Sequence, residues 1–103
     1  RVLFRSLKYQ ELLELHIAPK IIDYLSLDIE PATQTLDALK LILQTSYSFN
    51  CITFEHDLYV GKENVEVKLI QKELLLNMGY TLYKENVCSG NNPRLPFEDW
   101  WVR

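Results

Sequence analysis

The chain has 103 residues, 48% hydrophobic and 24% charged, which suits one small globular domain and not two. A net charge of -3 gives no electrostatic case for nucleic acid, and no apolar run reaches the roughly 20 residues needed to span a bilayer. No basic start with an apolar run behind it marks secretion, and the isolated Cys51 and Cys88 form no C-x-x-C pair, so free thiols and a cytoplasmic setting are expected.

The first six residues, RVLFRS, could form a short strand of alternating character. They are also what one reading frame of a widely used sequencing-library adapter encodes. On that reading residues 1–6 lie outside the fold and the natural sequence begins near Leu7, inside a domain. Leu7 to His16 reads as the end of a helix with Leu12 and Leu13 on its apolar face, stopped by Pro19. Ile21 to Glu30 reads as a strand apolar on both faces, the pattern of a central strand covered by helices.

Pro31 suits a first helical turn, where a missing N–H costs nothing. The helix that follows, ATQTLDALKLILQ, repeats Ala32, Leu36, Leu39 and Leu43 on one face. TSYS ends it, and Phe49 to Glu55 is a second buried-type strand, with Cys51 a small buried residue inside it. After a loop at 56–62, Glu63 to Met78 is a second complete helix with Val67, Ile70, Leu74 and Met78 inward. Gly79 stands where a helix C-cap wants positive φ. Tyr80 to Val87 is a third strand, 88–96 a turn-rich loop and Phe97 to Val102 a fourth strand. Both tryptophans of that last strand are expected in the core.

This alternation predicts an α/β domain: a mainly parallel sheet, helices on both faces, and a last strand running backwards because no crossover helix precedes it. In open α/β sheets ligands sit beyond the carboxyl ends of the parallel strands. Asp28 and Glu30 end the first strand; Glu55, His56 and Asp57 end the second. Three readings fit this rim: solvated charge that favours a helix N-terminus, a general acid/base site with His56 as the neutral-pH base, or oxygen ligands for a divalent metal. The strand IIDYLSLDIE also has the look of a Walker B strand, although no G-x-x-x-x-G-K-[ST] occurs in the chain.

Taken in order, IDYLSLDIE, FNCITFEHD, a helix ending MGY, and PFEDWWV resemble the C-terminal part of FkbM-type methyltransferase domains, from about Leu7 to Arg103. The resemblance implies a class I, S-adenosylmethionine-dependent O-methyltransferase with a small-molecule or sugar hydroxyl as acceptor. It implies that these strands are the fourth to the seventh of a Rossmann-like sheet, with the antiparallel seventh between the fifth and sixth. Asp28 and Glu30 then match the family's D-x-E facing methyl transfer, and Glu55 the acidic end of the fifth strand, with His56 beside it. The Gly-rich turn and acid that hold the cofactor are missing from the chain, so it reads as the C-terminal half of a domain, with no cofactor-binding residue and no metal ligand assigned. Pro31 and Thr33 stand where many members have Gly and Glu, a departure that limits carry-over of substrate contacts. The alternatives are a phosphate-handling α/β enzyme and a non-catalytic interaction module. Neither nucleic acid nor a membrane is expected as a partner.

Overall fold

The computed structural model describes residues 2–103, and side chains at 9–91 and 94–103. The adapter reading of residues 1–6 therefore concerns side chains outside the described residues. Eight elements run in order: α1 (Val2–Leu15), β1 (Ile21–Leu27), α2 (Ala32–Leu43), β2 (Ser48–Glu55), a single 3-10 turn η1 (Leu58–Val60), α3 (Lys62–Asn77), β3 (Thr81–Ser89) and β4 (Asn92–Val102). The molecule is an α/β protein whose four strands form one mixed sheet in the order β1-β2-β4-β3. β1 and β2 are parallel, and β4 runs antiparallel to both β2 and β3. The backward last strand thus lies between the second and third.

Two boundaries differ from expectation. The loop anticipated at 88–96 is mostly strand: β3 continues to Ser89 and pairs it with Asn92, so only Gly90 and Asn91 turn the chain. Turn-forming residues there specify one short hairpin turn, and antiparallel pairing claims the rest. β1 stops at Leu27, because the chain from Asp28 leaves the sheet towards α2.

The register aligns Leu27, Phe54 and Asp99 across the sheet, and next to them Leu25, Ile52 and Trp101. These rows share one face, and Leu27, Phe54, Ile52, Asp99 and Trp101 are buried there. The helices form a single layer over it, α1 against α2 and α2 against α3. Right-handed crossovers that step the same way along a sheet require this, since each helix must fall on the same side. Helices on both faces were expected. The opposite face, with Ser26, Thr53, Trp100 and Lys84 in register, is instead exposed or half-exposed. Trp101 is core as anticipated, while Trp100 lies on the open face with Nε1 donating to Glu98 Oε2 at 2.7 Å. Cys51, on the same side, is half-buried rather than buried, and both cysteines are free.

α2 buries Ala32, Leu36 and Leu39 as its spacing predicts. α3 buries Val67 of its predicted stripe and packs Ile70 and Leu74 partly against the core, but polar residues take much of its inward face. Its inward residues are Asn64, Val67, Lys68, Gln71 and Leu75, while Met78 is exposed. Among the described residues no helix is long and apolar enough to cross a membrane.

Candidate functional site

The carboxyl ends of β1 and β2 form an acidic rim, held from below by two side chains. Under β1 is Thr35, wholly buried on the first turns of α2. Its hydroxyl donates to the Ile29 carbonyl at 2.6 Å and accepts from the Ile29 N–H at 3.0 Å. Ile29 sits between Asp28 and Glu30, so this reciprocal pair fixes the backbone that carries both exposed carboxylates. Pro31 is the N-cap of α2 rather than its first helical residue, after a cis Glu30–Pro31 peptide.

Under β2 is His56. Sequence placed it on the rim as a solvent-facing base; the fold places it beneath, with no exposed surface. Its Nδ1 accepts from the Leu58 N–H at 3.0 Å, and its Nε2 lies 3.1 Å from Asp99 Oδ1. A backbone N–H can only donate, so Nδ1 carries no proton, and the ring is the neutral Nε2–H tautomer donating to Asp99. Both nitrogens are engaged, and neither is free to take a proton from a substrate.

Asp57 follows His56 in the left-handed conformation, φ 50° and ψ 49°. Burial pushes its carboxyl above the usual carboxylate range, and the negative charges of Asp28 and Glu30 push it further. The charges of Asp28 and Glu30 are thus felt at the Asp57 carboxyl, which places the three acids in one corner of the rim. Glu55 belongs to the open face, opposite Glu98 in the β2–β4 register. Among the described residues no group of three or more His, Cys, Asp or Glu is arranged to hold a metal ion.

Sequence reasoning missed the polar cluster beneath the rim. Asp99 is completely buried, yet all its acceptor capacity is used. Oδ1 accepts from His56 Nε2 and from the Asn86 N–H at 2.8 Å; Oδ2 accepts from Lys68 Nζ at 3.2 Å and Gln71 Nε2 at 2.7 Å. Gln71 Oε1 in turn accepts from Trp101 Nε1 at 3.0 Å, and Lys68 also donates to Glu85 at 2.8 Å. Burial raises the Asp99 carboxyl, but the hydrogen bonds from His56 and Asn86 and the nearby positive charge outweigh it and hold it below the usual range. One signal was legible: an aspartate inside an otherwise apolar strand, FEDWWV, must find partners if that strand is buried.

A cavity of about 150 Å³ lies at the other end of the sheet, between Leu43, Tyr47, Met78, Tyr80 and Arg103, away from the acids. Comparisons with protein-family models, with curated proteins and with solved structures find no match to this chain.

Proposed function

We propose that the chain is the acceptor-side part of an S-adenosylmethionine-dependent methyltransferase domain acting on a small-molecule or sugar hydroxyl. The observation that carries this reading is the sheet order. An antiparallel last strand lies between the second and third strands, in the arrangement that the resemblance implies for strands four to seven. The acidic ends of β1 and β2 lie side by side where an α/β sheet binds its ligand. There Asp28, Glu30 and Asp57 would orient a hydroxyl and accept its proton, a contribution of roughly 10²–10⁴-fold in rate. Glu55 ends β2 on the open face, opposite Glu98, and is not part of that group.

The described residues do not fit the cofactor itself. Gly61 caps α3, Gly79 follows its last turn and Gly90 lies in the hairpin; the three are isolated from one another and form no G-x-G-x-x-G turn between a strand and a helix. No step of cofactor handling is assigned to this chain. The reading includes a cytoplasmic setting and a parent chain that supplies the cofactor half.

The test is methyl transfer from labelled S-adenosylmethionine to a panel of hydroxyl acceptors by a chain carrying the sequence upstream of Leu7. Activity that falls at least tenfold in kcat for Asp28→Asn or Glu30→Gln supports the reading. An upstream sequence with a P-loop, and binding of a magnesium nucleotide in place of S-adenosylmethionine, would replace it with the phosphate-handling alternative.

A further inference from the structure

We infer that Asp99 is a positioning residue for the acidic rim, acting through His56. It lies in the sheet core, yet a chain of two hydrogen bonds joins it to the rim: Asp99 Oδ1 to His56 Nε2, and His56 Nδ1 to the Leu58 N–H. An ionised carboxylate can only accept, so it selects the Nε2–H tautomer. That tautomer leaves Nδ1 as the acceptor that the Leu58 N–H requires. The Leu58 bond closes the turn in which Asp57 takes its left-handed conformation, and the Asn64 side chain ties the Asp57 carbonyl from α3 at 3.0 Å. Asp99 thereby sets where the Asp57 carboxyl stands relative to Asp28 and Glu30.

The ionised state of Asp99 is itself secured from three elements. Lys68 and Gln71 reach it from α3, the Asn86 N–H from β3, and His56 from just beyond the end of β2. Asn86 adopts φ 55° at a register shift of β3, which turns its N–H towards the carboxylate. A protonated His56 would break the relay at its far end, because Nδ1–H and Leu58 N–H would both be donors. The charged groups around the ring are then Asp99 from β4, Lys68 from α3, Glu85 from β3 through Lys68, and Asp57 from the rim.

The effect on a bound hydroxyl rests on the methyltransferase reading; the relay does not, so the test reads the relay directly. The chain has two histidines, and exposed His16 serves as an internal reference. In the ¹⁵N-labelled 103-residue chain at neutral pH, His56 is expected to show a protonated Nε2 and an unprotonated Nδ1, while His16 shows averaged tautomers. In Asp99→Leu, which offers Nε2–H no acceptor and leaves the Leu58 N–H as the remaining bias, the tautomer preference should weaken and Leu58 amide exchange should quicken by roughly tenfold, the worth of one ordinary hydrogen bond. Glu85→Gln, which touches neither bond of the relay, should change neither signal. A protonated Nδ1, or tautomers averaged as in His16, overturns the relay whatever the activity; if Asp99→Leu does not fold, the wild-type tautomer decides alone. The expected tautomer without methyl transfer in the longer chain would refute the functional reading and leave the relay standing.

Discussion

Asp57 and Asp99 respond to acid in opposite senses. Asp57 has a raised carboxyl, so its charged form is disfavoured in the fold, and stability rises as pH falls through its folded value. Asp99 and Glu85 are both held low, the latter by hydrogen bonds from Lys68 and Lys72. What they contribute is present above their unfolded values of about 4 and is lost as pH falls through their folded ones. Asp57→Asn is therefore expected to raise the melting temperature at neutral pH by a few degrees, since it removes like-charge repulsion and asparagine tolerates the left-handed region; thermal unfolding followed by circular dichroism measures this, and an unchanged or lower value would contradict the electrostatic account. Asp99→Ala leaves a buried Lys68 and His56 without their shared partner and should cost about 3–5 kcal/mol in urea unfolding. Thr35→Val is nearly the same size but strips the Ile29 N–H and carbonyl of their partner, for about 1–3 kcal/mol by the same measurement.

Helix ends show how a local rule is kept in one element and broken in another. α3 closes with Gly79 at φ 91°, whose N–H bonds the Leu76 carbonyl while the Tyr80 N–H bonds that of Leu75. α1 closes the same way, with Ile17 N–H to Glu14 and Ala18 N–H to Leu13, but the left-handed residue is Ile17 at φ 53°. A β-branched residue is strained there, and Ile17 is 89% exposed, so no packing compensates. Ile17→Gly should stabilise the chain by about 1 kcal/mol, read as a rise in melting temperature; a fall would mean that the Ile17 side chain contributes more than the strain it carries. Strand β1 is an edge, and Ile21 and Tyr24 on it are about half-exposed. Unpaired backbone beside apolar side chains invites strand-to-strand association, so Ile21→Lys is expected to reduce self-association in sedimentation velocity. The inward face of α3 could not be read from apolar spacing, because three of its five buried positions are Asn64, Lys68 and Gln71. A polar residue marks the inside of a helix only when its partner is known, and that partner, Asp99, is 31 residues from Lys68 in the chain.

At the scale of the whole molecule, one sheet face is covered by three helices and the other is not, and the radius of gyration of 13.8 Å with a 41 Å long axis is slightly larger than the about 13 Å of a rounded chain this size. With no nucleotide-binding turn among the described residues, the chain by itself should not bind S-adenosylmethionine in calorimetry; micromolar binding by a monodisperse monomer would overturn the half-domain proposal. Sequence alone determined the element order, the parallel pairing of β1 with β2 and the reversed last strand. These follow from local periodicity and from whether a connection is long enough to hold a crossover helix. It also named Asp28, Glu30, Glu55 and His56 as rim candidates from where apolar residues stop, although the first strand ends at Leu27 rather than Glu30. Tertiary structure alone decided that the sheet is open on one face, that α3 turns Lys68 and Gln71 inward, and that His56 is a buried strut rather than an exposed base. Each of these depends on contacts between residues distant in the chain. An imidazole at the end of a strand looks the same in sequence whether it meets solvent or a carboxylate 43 positions away.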